Sequence, residues 1–348
     1  MNDLDRMPAE LGYRFPAEWE PHAATWLAWP HNPATWPGKR EAILPYFTQF
    51  VQTVAEVEPV HLLVGGEHVR AEAERWVGRH PQVVLHDIPT NDAWCRDHGP
   101  TFLVGPSHLP PALIDWGFNS WGEKYPPYDL DNQVPRRVAE LLGWHRFDPR
   151  MVLEGGSIDG NGCGTLLTTE TCLLNPRRNP GLSREQIVDR LRQYLGTRHV
   201  IWLGGEIEGD DTDGHIDQLA RFVGPRRVLA SREHRSDDAN HGPLEENWRR
   251  LQQATDQDGE PLEVWELPMP AAKYYEDRRL PAGYANFYIA NGLVVVPSYD
   301  DPADDVARDV LQRAFPDRRI VAIPSLDLVW GLGAFHCLSQ QQPAPTPR

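Results

Sequence analysis

The strongest constraint on how this chain can fold is a unit that recurs five times: an amphipathic helix, a short β-branched strand, then a turn rich in glycine and polar side chains. The helices are expected to begin near Glu67, Asp131, Ser183, Pro243 and Pro302, so successive starts fall about 50–65 residues apart. In the third unit Ser183 and Gln186 form a candidate capping box, IVDRLRQYL keeps the helical period, and TRHVIWL reads as a buried strand. The last unit repeats the order in VVVPSYD, DPADDVARDVLQRAF and RRIVAIPSL, with Pro302 in the first helical turn, where its missing N–H costs least. A recurrence of this length means a propeller, a solenoid, or a βαβ sandwich cut into two domains.

The residues just past each strand decide between them. VVLHDIP leads into NDAWCRDHGP, MVL into EGGS, HVIWL into GGEIEGDDTDGHID, and IVAIPSL into DLVWGLGAFHC. The remaining strand, LEVWELP, leads into PAGYANFYIANG, which offers Tyr284 and Asn286 but no charge. Reactive groups past the same strand of successive units are expected when repeats are arranged radially and their strand ends meet at one axis. The expectation is therefore an α/β chain forming a single domain over residues 1–348, with QQQPAPTPR, from about residue 340, as a flexible tail.

Composition narrows the partners. A formal net charge of −16 repels polyanions, so nucleic acid is an unfavourable ligand, while small cations are favoured. No stretch approaches the roughly 20 apolar residues of a membrane span, and the first residues carry acids and no apolar signal region, so no membrane partner is expected. Cys95, Cys163, Cys172 and Cys337 show no C-x-x-C spacing and read as reduced thiols, which places the chain in the cytoplasm.

Candidate chemistry concentrates in three of the turns. If a strand starts at Gly214, His215 and Asp217 point to one face of it. DDTDGHID lacks the ligand spacing of a calcium loop and has no second histidine at a zinc spacing, so neither a metal nor any other cofactor is expected. A solvated acidic turn is the plainer alternative. In NDAWCRDHGP, Asp97 could receive a cationic ligand, Arg96 is read as its internal ion-pair partner, and Trp94 is either a pocket wall or one of 13 tryptophans used in packing. WGLGAFHC puts the Cys337 thiol beside His336 on a glycine-bearing loop, where cationic neighbours could lower its pKa from about 8.5. Taken alone, such a cysteine is more often a small buried hydrophobe, and that reading is kept for Cys95, Cys163 and Cys172. One thiol, one imidazole and the carboxylates Asp97, Glu154 and Asp217 suit a planar guanidinium, which paired carboxylates bind through bidentate hydrogen bonds.

Through FPAEWEPHAATWLAWPHNPATWPG, NDAWCRDHGP, DWGFNSWG, LEGGSIDGNGCGTLLTTETCLLNPRRNP, DDTDGHIDQLARF, YANFYIANG and HCLSQQQP the chain resembles the agmatine deiminase family of the guanidine-modifying, or pentein, superfamily. The resemblance covers nearly the whole chain in the family's order. It implies a five-bladed pseudo-symmetric α/β-propeller of ββαβ-type repeats and assembly as a homo-oligomer, a dimer or tetramer. It also implies hydrolysis of agmatine to N-carbamoylputrescine and ammonia, for putrescine and polyamine synthesis. On this resemblance Cys337 is the nucleophile, His215 the general acid and then base, and Glu154 a proton-shuttling ligand of the guanidinium. Asp97 and Asp217 orient the cation, Trp94 belongs to the binding wall, and Asp211 faces the distal amine. Two departures stand out: GLGAFHC replaces the family's Gly-Gly-Gly-Asn-Ile-His-Cys at Leu332 and Ala334, and Asp211 replaces a common Glu. Rival readings are an arginine or peptidylarginine deiminase, an amidinotransferase, and a silent guanidine-binding module. Asp210 and Asp211 beside His215 speak against an arginine substrate, whose α-carboxylate needs a cation.

Overall fold

Where helical spacing is clearest in the sequence, the computed structural model, which describes residues 6–346, has a helix. Helices occupy Glu67–Val77, Val134–Leu142, Arg184–Leu195, His241–Gln253 and Ala303–Ala314. The third begins with the expected reciprocal cap: Gln186 N donates to Ser183 Oγ at 3.3 Å and Ser183 N donates to Gln186 Oε1 at 2.8 Å. Pro302 differs slightly from expectation, standing just before Ala303 as the N-cap.

Four of these helices cross between parallel strands of three-stranded sheets, each opened by an antiparallel pair. Thr101–Leu103 and Ala112–Ile114 pair antiparallel, and His145–Phe147 returns parallel after the helix. The same ββαβ order holds for Ile158–Gly160, Thr165–Thr169 and His199–Leu203, and for Ala220–Phe222, Arg227–Arg232 and Glu263–Pro268. It holds again for Tyr288–Ala290, Leu293–Ser298 and Arg319–Pro324. Each helix packs against its own sheet and against the sheet before it. Leu244 and Leu251 of His241–Gln253, for instance, share a core with Phe222, Val228 and Ala230, and each such buried leucine contributes about 1.5–3 kcal/mol.

The remaining sheet unites the two ends of the chain and corrects two expectations. Ser339–Pro343 pairs antiparallel with His22–Ala28, which runs parallel to Val60–Leu63 and, beyond it, Val83–His86. The first part of the expected flexible tail is therefore a buried strand. Its glutamines are satisfied rather than solvated: Gln341 Oε1 accepts from Arg96 at 2.6 Å and Gln342 Oε1 accepts from Trp26 at 2.8 Å. In addition, the crossover equivalent to those of the other sheets is Arg40–Ala55, and the expected helix at Glu67 with Val83–His86 is an addition to this sheet. Pro45 inside REAILPYFTQFVQTVA disguises that helix, because proline removes one intrahelical hydrogen bond. No helix among the described residues is long and apolar enough to cross a membrane.

Candidate active site

Each parallel strand that ends a sheet runs into a short turn, and these turns deliver the polar groups. Asp97 lies on the one-turn helix Cys95–His98, Glu154 precedes the 3-10 turn Gly155–Ser157, and His215 and Asp217 enter the 3-10 turn Ile216–Gln218. Asn286 ends the turn Tyr284–Asn286, and Cys337 lies in Phe335–Leu338. The expected strand from Gly214 is absent. Ile216–Gln218 is a tight turn and the strand begins only at Ala220, yet both His215 and Asp217 face the same cluster.

The structure brings the five expected catalytic residues together. Cys337 Sγ lies 3.4 Å from Asp217 Oδ2 and receives a hydrogen bond from Asn286 Nδ2 at 3.0 Å. Asn286 Oδ1 accepts from Ala334 N at 3.0 Å and from Cys337 N at 3.2 Å, so one amide holds both the sulfur and its loop. His215 stands between two acids, Nδ1 3.7 Å from Asp97 Oδ1 and Nε2 3.9 Å from Glu154 Oε2. Gly156 closes the group: a Cβ there would lie 2.6 Å from His215 Nδ1, 2.8 Å from Asp97 Oδ1 and 3.2 Å from Asp217 Oδ2. Both His215 ring nitrogens and Asp217 Oδ1 are buried without a hydrogen-bond partner, a costly state unless a ligand supplies one.

A cavity of about 710 Å³ leads to this cluster; Trp94, Asp97, Trp121 and Cys337 line it, as do Lys124, Tyr125, Asp211 and Arg278. Glu154, His215 and Asp217 sit directly behind these residues and are fully buried. Asp211, expected at the distal end, is on the wall but already partnered by the Tyr125 hydroxyl and by Lys124. Asp210 turns away: its carboxylate accepts from Thr212 N at 2.9 Å, Thr212 Oγ1 at 2.6 Å and Gly214 N at 2.8 Å, shaping its own loop.

Charges around the cluster set its protonation. Burial alone would lower the pKa of His215, but Asp97 beside it, with Cys172 and Glu154, raises it well above the ordinary value, making an imidazolium. Burial, together with the Asp217 and Asp97 carboxylates, pushes the Cys337 thiol well up. Asp97 is raised by burial and by its acidic neighbours, against the pull of His215. Glu154 falls to about 2 in spite of burial, because His215 and Arg178 stabilise its charge.

Glu154 therefore carries a checkable signature. Its folded pKa lies below the unfolded value of about 4.3, so its contribution, about 3 kcal/mol, is fully present at neutral pH and is lost as pH falls from about 5 toward 2. Denaturant titrations at pH 7 and pH 3 should show a smaller pH dependence of stability in Glu154→Gln than in the unaltered protein. Equal slopes would contradict the assignment.

Several supporting residues were not foreseen. Glu18 is a buried hub: its Oε2 contacts His336 Nε2 at 2.8 Å, Arg221 Nη2 at 2.8 Å and Arg96 Nη2 at 3.3 Å, and its Oε1 accepts from Ile289 N at 2.8 Å. The Arg96–Asp97 ion pair expected from the sequence is thus replaced by Arg96–Glu18, since Asp97 is taken by Trp121 Nε1 at 2.9 Å and Gly156 N at 2.9 Å. His336 bridges Glu18 to Asp217, with Nδ1 2.7 Å from Asp217 Oδ2. Trp121 reaches Asp97 from a turn in which Ser120, Trp121, Gly122 and Glu123 all have left-handed φ, of 53°, 55°, 84° and 66°. Such backbone is costly for non-glycine residues and is typical of a functional constraint. The motif DWGFNSWG was the available signal. Leu332 is likewise left-handed at φ 73°, a conformation that favours glycine, and Gly333 presses on Trp94, 2.6 Å from where a Cβ would stand.

Glu154, Cys172 and His215 also present donor atoms within 4.8 Å of one another, a candidate metal set by donor type. The fit is poor: Arg178 Nε holds Glu154 at 2.8 Å, so a second cation meets repulsion, and burial with the Glu154 charge keeps the Cys172 thiol protonated.

The chain has relatives along its full length. It is 38% identical to an agmatine deiminase of Ectopseudomonas mendocina over 99% of each chain. Its structure is similar to that of an agmatine deiminase of Enterococcus faecalis, with a TM-score of 0.93 at 32% identity, covering 98% of each chain. A dimethylarginine dimethylaminohydrolase matches with a TM-score of 0.52 at 11% identity, over 92% of this chain and 99% of that one, which relates the α/β fold alone. Residues 14–343 match the family described as Porphyromonas-type peptidyl-arginine deiminase, and this chain belongs to that family.

Proposed function

We propose that this chain is an agmatine deiminase, hydrolysing agmatine to N-carbamoylputrescine and ammonia through a covalent thiouronium on Cys337. The observation that carries the reading is the joint geometry at the inner end of one cavity: a thiol 3.4 Å from Asp217, and an imidazolium between Asp97 and Glu154. The full-length likeness to agmatine deiminases supports the choice of substrate.

In this mechanism the guanidinium lies against Trp94 and donates N–H bonds to Asp97 and Asp217, whose charges otherwise hold the thiol protonated. Its positive charge reverses that effect. The thiol releases its proton to water, and the thiolate forms a C–S bond to the guanidinium carbon. His215 gives its proton to one nitrogen, the C–N bond breaks and ammonia leaves. Neutral His215 then takes a proton from water as hydroxide attacks the thiouronium; Glu154 relays the remaining hydroxyl proton, and the C–S bond breaks to return the thiolate. No step calls for a metal or other cofactor.

The same reading makes the five ββαβ sheets the blades of one propeller in a single domain, with the polar turns at its axis. Clusters of buried side chains that join neighbouring sheets support it, such as Leu27 and Val60 with Tyr288 and Val295. Free cysteines support a cytoplasmic setting and the acidic charge disfavours nucleic acid; assembly as a dimer or tetramer belongs to the same proposal.

One observation favours a second reading, an arginine or peptidylarginine deiminase: Lys124 and Arg278 line the cavity beside Asp211, and Asp210 is turned into its own loop and does not oppose a carboxylate there. Ammonia release from agmatine, arginine and a peptidylarginine separates the two. Agmatine is expected to have a kcat/KM about 100-fold or more above the others. Faster turnover of arginine would overturn the assignment, and transfer of the amidino group to an added diamine in preference to water would make the chain an amidinotransferase.

A further inference from the structure

We propose that Arg278 is a specificity-determining residue, competing with the distal ammonium of the substrate for the Asp211 carboxylate; the inference rests on the deiminase reading above. Asp211, in the cavity wall, has two acidic neighbours in its own loop, and both are committed elsewhere. Asp210 caps its own loop through Thr212 and Gly214. Asp213 is bound by Arg178 and, at 3.0 Å, by Lys124 Nζ. Of the three, Asp211 alone lines the cavity; the Tyr125 hydroxyl donates to its carboxylate, and its remaining side-chain contacts are two cations, Lys124 and Arg278.

Two cations share that position on unequal terms. Lys124 is anchored, donating to the Asp211 backbone oxygen at 2.7 Å and to Asp213, with Asp211 Oδ1 3.7 Å away. Arg278 comes from the hairpin formed by Tyr274–Tyr275 and Arg278–Arg279, with a side chain 53% exposed and Nη2 3.9 Å from Asp211 Oδ2. That contact is long and solvated. Arg278 is therefore a displaceable counter-ion occupying the place of the substrate's amine.

The consequence separates binding from chemistry. Exchanging Arg278 for an ammonium costs the same in the ground state and in the transition state, because the reacting carbon lies at the Cys337 end of the cavity. Such a penalty raises KM and leaves kcat. Its size is that of an exposed ion pair, so it is modest and screened by salt. For a substrate ending in a carboxylate, the same arginine is a partner instead of a rival.

The test compares agmatine with n-butylguanidine, which has the same guanidinium and chain and lacks the amine, in the unaltered protein, Arg278→Gln and Arg278→Lys. The ratio of the KM for agmatine to that for n-butylguanidine is expected to fall about 2- to 5-fold in Arg278→Gln, with the agmatine kcat within about 2-fold and the change shrinking at high salt. Arg278→Lys should restore the original ratio. An unchanged or increased ratio in Arg278→Gln, or the same fall in Arg278→Lys, would overturn the proposal while the deiminase reading stands. Failure of the unaltered protein to release ammonia from either guanidine would overturn both.

Discussion

Cys337→Ala is expected to lower kcat by about 10⁴-fold or more while leaving the dissociation constant for agmatine within a few-fold. The sulfur is the atom that forms and breaks a bond to carbon, and no neighbouring group replaces it: Asn286 is an amide, and the carboxylates face a cation. The binding groups Asp97, Asp217 and Trp94 remain, so the split between kcat and affinity is the diagnostic feature. Stability should drop little, by about 1 kcal/mol, because only a small buried atom is removed. Ammonia release gives kcat and calorimetry gives the affinity; retained turnover above about 1% of the original would contradict the nucleophile assignment.

Gly156→Ala is expected to cost about 10²- to 10³-fold in kcat/KM, although it adds a single methyl group to a residue that takes no part in the chemistry. The new Cβ would stand 2.6 Å from His215 Nδ1 and 2.8 Å from Asp97 Oδ1, closer than real contacts allow. One of the two must move, and each is buried, so the imidazolium shifts relative to the thiol it serves. Overpacking should also cost about 1–3 kcal/mol of stability. A variant with unimpaired kcat/KM would show that the His215–Asp97 geometry is not needed.

Much of this site was legible because its residues stand beside glycine at equivalent strand ends. Asp97, Glu154, His215, Asp217 and Cys337 each come from a turn past a strand; singly they have plainer readings, the full-length resemblance singles them out, and the five are within reach of one another. The supporting shell was not legible, because its contacts are remote in the chain. Glu18 and His336 are separated by 318 positions and nothing local in FPAEWEPH identifies the partner. Trp121 and Arg178 hold Asp97 and Glu154 from other units in the same way. Elsewhere local composition pointed the wrong way. Gln340, Gln341 and Gln342 read as a solvated tail, but backbone pairing with His22–Ala28 and side-chain bonds to Arg96 and Trp26 repay their burial. Asp210 and Asp211 both read in the sequence as opposing a carboxylate, and only the folded loop distinguishes the acid that caps a turn from the acid that faces the cavity.

The central claim is that one sulfur becomes bonded to the substrate's amidine carbon during each turnover. Acid-quenching the protein in the presence of saturating agmatine, followed by peptide mass spectrometry, tests it directly. The account predicts an adduct of the thiouronium mass on the peptide containing Cys337, absent from Cys95, Cys163 and Cys172 and absent in Cys337→Ala. Steady turnover with an unmodified Cys337 peptide under conditions that trap the intermediate, or an adduct on a different cysteine, would contradict it.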